Sequence, residues 1–145
     1  MTTAQARATV AQLVGKIGGV DLVIADHLRL FLDSGDRETT RLGAISWALK
    51  QIAKATNCAV VCAAQINRGT ERRNNKRPAL SDLRESGEIE ENAGAVVGIY
   101  RRDYYDGDDT TTELIALKAR DGQTDNHFEA RWVASTTSFV RLTQD

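Results

Sequence analysis

The chain has 145 residues, 41% of them hydrophobic and 27% charged, with a formal net charge of -1. That is the balance of an ordinary water-soluble domain, long enough to bury a core without disulfide or metal staples. No apolar run approaches the roughly 18 residues needed to span a bilayer, and an overall charge this near zero argues neither for nor against nucleic acid. Met1 to Lys16 lacks the apolar centre of a signal peptide. The expectation is therefore a cytoplasmic protein without a membrane partner, read as a single domain over residues 1–145.

The first element is a helix from Thr3 to Ile17, with Val10, Leu13, Val14 and Ile17 on one face and Gly18-Gly19 as its stop. Val20 to Ala25 follows as a nearly continuous apolar run that ends at Asp26. Runs apolar on both faces suit a central parallel strand. A polar loop through Ser34-Gly35-Asp36 leads to a second helix from Arg37 to about Ala55. Leu42, Ile45, Leu49 and Ile52 form its apolar stripe, Ser34 or Asp36 is placed to cap it, and Asn57 is placed to end it. Cys58 to Ala64 is another apolar run, ending at Gln65.

Four strand steps would separate Cys58 from Cys62 by about 13 Å, too far for a disulfide. With the histidines distant at His27 and His127, no zinc ligand set is apparent, so the cysteines read as buried reduced thiols. The strand-helix-strand order favours parallel pairing through a right-handed crossover. Both runs turn polar at their carboxyl ends, at Asp26 and Gln65, and in open parallel sheets ligands bind at that edge. Either residue alone reads equally as an ordinary loop entry; the same break on two paired strands favours a site.

The stretch from Arg68 to Glu91 is divided electrically. Arg68 to Arg84 holds six basic residues against two acids, and Glu85 to Glu91 holds four acids and no base. A segment this charged between two apolar runs reads as a loop carried by a rigid scaffold, the alternative being a solvated surface loop. The acids from Glu88 onward stand where a following helix would begin, where negative charge is favoured. Ala93 to Tyr100 and Glu113 to Ala119 read as strands, separated by a polar turn through Asp106-Gly107-Asp108-Asp109. That acidic turn lacks the later glutamate of a calcium loop. Phe128 to Val133 and Ser138 to Leu142 read as a closing hairpin.

Several of these segments together resemble the DnaB-type replicative DNA helicases, in their RecA-like ATPase domain. The run ending Ala25-Asp26-His27-Leu28-Arg29-Leu30 resembles that family's Walker B strand. Ala64-Gln65-Ile66-Asn67-Arg68 resembles its Ser/Thr-Gln-Leu-Asn-Arg motif. Arg77-Pro78, Ser81-Asp82-Leu83-Arg84-Glu85-Ser86-Gly87 and Ile89-Glu90 resemble its most distinctive signature, and Lys118-Ala119-Arg120-Asp121-Gly122 its Lys-x-Arg-x-Gly segment. A lone Walker B would be weak; the four in order cover nearly the whole chain.

The resemblance implies an α/β fold with a RecA-like, mostly parallel central sheet flanked by helices, an antiparallel C-terminal hairpin region and an incomplete core. It implies ATP and Mg2+ as cofactors, with Asp26 at the magnesium ion. Gln65 would sense the γ-phosphate. Arg77, Arg84, Glu85 and Gly87 would belong to the loop that meets single-stranded DNA, Glu85 bracing a neighbour rather than touching phosphate. Lys118 and Arg120 would act in trans on a nucleotide held by the next subunit of a hexameric ring.

There are departures. Gly15-Lys16 is followed by Ile17 and has Val10 where a P-loop needs its first glycine. The family's catalytic glutamate has no counterpart, the primase-recruiting amino-terminal domain is missing, His27 replaces a tyrosine and Ala64 a Ser or Thr. The chain therefore reads as the C-terminal portion of a DnaB-like helicase, shortened or excised, whose isolated form lacks ATPase activity. A second reading is a non-catalytic single-strand-binding or helicase-assembly module. A RecA-type recombination ATPase shares the sheet but accounts less well for Arg77 to Glu90.

Overall fold

The computed structural model describes residues 1–107, 110–124 and 126–142, with the side chains of residues 68, 84–86 and 106 outside that description. Two compact units divide the chain. The first comprises Met1–Gln65 with Leu83–Ala93, the second Ile66–Asp82 with Gly94–Asp145.

In the first unit, helix α1 spans Thr3–Ile17. Thr2 and Gln5 close a reciprocal capping box at its start, and Gly18 ends it in the left-handed conformation with its N–H on Val14 O. Val10 is buried, but Leu13 and Ile17 on the same face are exposed. The backbone N–H and hydroxyl of Thr3 both donate to the Asp33 carboxylate, at 2.8 and 2.6 Å, tying α1 to the segment after β1.

Strand β1 (Leu22–Ala25) pairs in parallel with β2 (Ala59–Cys62), in register Leu22↔Ala59 to Ala25↔Cys62. Helix α2 (Glu38–Thr56) is the crossover, and Asn57 ends it at φ 49. The expected stripe of Leu42, Ile45, Leu49 and Ile52 is buried whole. With Val10, Ala25, Leu28 and Phe31 it forms the core, against which Val23, Val60 and Cys62 pack. Helix α3 (Gly87–Asn92) lies on α2.

Two expectations are corrected here. Neither Ser34 nor Asp36 caps α2: the helix starts at Glu38, its N-cap is Arg37, and that side chain makes no capping bond. Gly35 instead folds against Arg41, where an added Cβ would stand 2.8 Å from Arg41 Cβ. Nor are β1 and β2 buried on both faces. Leu22 is 49%, Ile24 71% and Val61 57% exposed, because the core gathers on one face only and alternation turns these side chains to the other. The cysteines are free as expected, Cys58 buried and Cys62 half-buried.

The second unit is built on an antiparallel sheet in the order β3-β4-β5-β6. Its strands are β3 (Ala95–Arg101), β4 (Thr111–Ala119), β5 (His127–Val133) and β6 (Ser138–Arg141), with the short helix α4 (Asp103–Asp106) between β3 and β4. The expected closing hairpin is therefore half of a four-stranded sheet, and the parallel pairing in the described residues is that of β1 and β2. Asp108 and Asp109 of the acidic turn lie outside the described residues. Among those residues no helix is long and apolar enough to cross a membrane.

Candidate functional site

Asp26 follows β1 directly, and Gln65 lies three residues beyond the end of β2. Two further backbone bonds carry the pairing past the strands: Ala63 N–H donates to Ala25 O and Leu28 N–H to Ala63 O, each at 3.1 Å. Parallel pairing thus brings both residues to the carboxyl edge of one sheet, and both are exposed there. The Asp26 charge is felt nearby. The Cys62 thiol is pushed up to about 11, chiefly by burial, partly opposed by a hydrogen bond with the Leu28 backbone, with a smaller contribution from Asp26.

Among the described residues no group of three or more His, Cys, Asp or Glu is arranged to hold a metal ion. One exposed carboxylate at a strand end suits Mg2+, which keeps several waters and takes one or two carboxylates beside phosphate oxygens. Asp26 fits that single role. His27, which the sequence left without a role, has its Nδ1 buried with no hydrogen-bond partner among the described residues.

Gly87 opens α3 and is exposed. An added Cβ there would meet nothing within 4 Å, so nothing in the fold itself demands glycine. Arg84 and Glu85 sit in the 3-10 stretch Leu80–Ser86 that leads into α3, and their side chains lie outside the described residues. Glu88 and Glu90 fall in the first turn of α3, as the charge pattern implied. What seats α3 is Gly43. A Cβ on it would come within 2.8 Å of Glu88 Cβ, and Asn92 Nδ2 donates to Gly43 O at 3.5 Å.

In the second unit the basic stretch is a closed loop. Its neck is a bond from Asn67 N–H to Asp82 O at 3.2 Å. The Asp82 carboxylate accepts from Ala79 N–H at 2.7 Å and from Arg73 at 2.8 Å. Lys76 stands over the Tyr105 ring at 4.6 Å. Arg77, read from sequence as a DNA contact, turns its guanidinium to Glu113 instead. Nε and Nη2 each donate to one carboxylate oxygen, both at 2.7 Å. Arg102 donates to the same carboxylate from Nε and Nη2 at 2.8 and 2.6 Å.

Glu113 is 1% exposed. Its carboxyl is held below the usual range, first by the Arg77 hydrogen bonds, against burial, with Arg102 adding to the effect. Arg77 is raised in turn by its hydrogen bonds to Glu113. Pro78 is seated beside this cluster, where a Cβ on Gly98 would stand 2.7 Å from Pro78 Cγ.

Lys118 lies opposite Val96 near the end of β4, half-buried, and Arg120 is exposed in the turn beyond, where its N–H donates to Gly94 O at 3.0 Å. Because β5 pairs with β4 only from Thr111 to Ile115, Lys118 stands past the end of that pairing. Asp26, Gln65 and Gly87 thus belong to the first unit, and Arg77, Lys118 and Arg120 to the second.

Glu113, Arg102 and Gly43 were missed from sequence. A signal existed for two of them. An acid inside the strand run Thr111–Ala119 needs a partner if buried, and a glycine amid a helical stripe often marks close packing.

The family described as DnaB-like helicase C terminal domain matches residues 1–141. The replicative DNA helicase DnaB of Leifsonia xyli subsp. xyli (strain CTCB07) is 41% identical over 130 residues, covering 86% of this chain and 28% of that protein. The replicative DNA helicase DnaC of Bacillus subtilis (strain 168) is 39% identical over 110 residues, covering 72% of this chain and 24% of its own length. The chain thus spans about a quarter of these relatives. Among solved structures, a helicase ATPase domain matches 99% of the chain at a TM-score of 0.91 and 32% identity, over 52% of its own chain. A DnaB-like replicative helicase, described with its interactions with primase, matches equally well in TM-score and identity over 35% of its chain.

Proposed function

Because the chain belongs to the DnaB-like helicase C-terminal domain family, we propose that it forms the nucleotide-sensing and strand-gripping part of an ATP-driven DNA-unwinding ring. The observation that carries this reading is the meeting of Asp26 and Gln65 at the carboxyl edge of the parallel pair. There Asp26 is one oxygen ligand for a magnesium ion, which when bound neutralises phosphate charge. Gln65, an uncharged donor and acceptor on the same edge, registers whether the terminal phosphate is present and is linked through Ile66 to the basic loop.

Arg84 supplies a cation to the phosphates of a single strand, and Gly87 leaves its backbone open to close approach. Contacts of this kind ignore base identity, as movement along any sequence requires. Glu85 braces a basic side chain. Lys118 and Arg120 reach the nucleotide of a neighbouring subunit, where a finger of this kind contributes roughly a thousandfold or more in rate.

The 145 residues contain no Gly-x-x-x-x-Gly-Lys-Ser/Thr pattern to cradle phosphate, so by themselves they should not turn ATP over. Steady-state hydrolysis with and without single-stranded DNA should stay at background. A rate above background that disappears in Asp26→Ala would overturn that. Strand binding is a separate measurement: Arg84→Ala should weaken it and lower its salt slope by about one, whereas Glu91→Ala should do neither. Equal behaviour of the two substitutions would remove the loop assignment.

The exposed apolar face of Leu22, Ile24 and Val61 favours a second reading, in which the chain docks on an intact helicase as an assembly module. Adding it to a full-length relative should then change the unwinding rate; no change at saturating excess would dismiss the idea.

A further inference from the structure

The cluster that the proposed function leaves unused is the buried carboxylate of Glu113 between two arginines. We infer that Glu113 and Arg77 form a clamp that fixes the basic loop Asn67–Asp82 onto the antiparallel sheet, making Arg77 a positioning residue rather than a strand contact. The inference deepens the strand-binding reading above and rests on it for its functional consequence.

Three observations carry it. First, both faces of the exchange are filled. Arg77 gives Nε and Nη2 to the two Glu113 oxygens, the side-on fork that matches a carboxylate. Arg102, from the turn after β3, occupies the same acid from its own side. A guanidinium held this way on a carboxylate that is 1% exposed has little left to offer a phosphate, although the rest of its side chain reaches solvent.

Second, the neighbouring residue docks on the same face of the sheet. Tyr100 and Glu113 are cross-strand partners, as are Gly98 and Ile115 two steps along. Arg77 stands over the Tyr100 ring at 5.8 Å, and Pro78 fills the space above Gly98 that any side chain would occupy. Arg77 and Pro78 thus press side by side on one strip of β3 and β4.

Third, the loop is rigid enough to transmit the anchor. Asn67 closes on Asp82 at the neck, and Arg73 reaches both the Asp82 carboxylate and the Arg77 carbonyl, at 2.8 and 3.1 Å. Fixing Arg77 therefore fixes Asp82, two residues before Arg84, together with the exposed Arg72.

A clamp and a strand contact make opposite predictions. If Arg77 bound phosphate, Glu113 would compete for it, and Glu113→Gln would tighten binding. If Glu113 positions the loop, the same substitution loosens it and weakens binding. The experiment measures single-strand affinity against salt for the full chain carrying Arg77→Gln, Glu113→Gln and both. We expect a several-fold loss for each, no further loss in the double variant, and a salt slope unchanged by Arg77→Gln. Tighter binding by Glu113→Gln, additive losses, or a slope lowered by about one in Arg77→Gln would overturn the clamp.

Limited trypsin digestion supplies a readout independent of DNA. Both variants should speed cleavage after Arg72 and Lys76 several-fold relative to cleavage after Lys54 in α2, with the thermal transition of the chain still present. Arg77 is half-exposed and its substitution leaves the apolar core intact, so Arg77→Gln alone decides the matter if Glu113→Gln does not fold. Unchanged cleavage would overturn the clamp. A chain that binds no strand at all while showing the cleavage change would sink the strand-binding reading and keep the clamp.

Discussion

A carboxylate inside an antiparallel strand must be paired or neutral, and Glu113 is paired twice. Its folded titration lies below the ordinary carboxylate value of 4.5, chiefly through Arg77. A depressed value stabilises the fold in full above the unfolded value, and that stabilisation is lost as pH falls through the folded one. Chemical denaturation should therefore show wild type more stable than Glu113→Gln at neutral pH, with the gap closing below about pH 4.5. Removing the acid outright is harsher, since it leaves Arg102 facing an emptied site. Glu113→Ala should cost about 3 kcal/mol, read as a lowered denaturation midpoint. Cys62, pushed up to about 11, should by the same reasoning be slow toward a thiol reagent at neutral pH, because only the thiolate reacts. Labelling at the rate of an ordinary surface cysteine would contradict its burial.

At the level of elements, the helices were the most legible part of the chain. The stop at Gly18, the stop at Asn57 and the stripe from Leu42 to Ile52 were all readable from spacing and local conformation, and all are present. So was the edge holding Asp26 and Gln65, since parallel pairing follows from the order of elements. What was not readable depends on distant partners. Arg77 and Glu113 are 36 positions apart, and no local pattern states that one is the other's counter-ion. The capping of α2 failed for a related reason: Gly35 packs against Arg41, a contact that capping preferences do not encode. The seat of α3 on α2 gives a test at this scale. Gly43→Val places two methyl groups where Glu88 stands and should destabilise the first unit by about 1–3 kcal/mol. Ile45→Ala, at 1% exposure, should cost about 2–5 kcal/mol by opening a cavity, while leaving the α3 seat alone. Hydrogen exchange would separate them, with early loss of protection in α3 only for Gly43→Val.

For the molecule as a whole, 99% of the chain has its counterpart in the solved helicase ATPase domain, but it accounts for only 52% of that domain's chain. The RecA-like α/β architecture read from its motifs is the one these neighbours have, and the family assignment rests on 141 matched positions. The first unit nonetheless presents Leu22, Ile24 and Val61 to solvent from one sheet face. An apolar patch of this kind on a short sheet invites association. Ile24→Lys should raise the concentration at which the chain stays monomeric in sedimentation, without lowering its unfolding midpoint, because Ile24 is 71% exposed and outside the core.

The closed neck from Asn67 to Asp82 also has a use for anyone altering the protein. Chain length added beyond a closed neck raises the closure cost only slowly, by about 0.6 kcal/mol per doubling. Asn74, exposed between the Arg73 and Arg77 anchors, is thus where a short reporter peptide or a dye-bearing residue would be tolerated. Such a probe would report the loop's response to a bound strand while both ends of the loop keep their fastening.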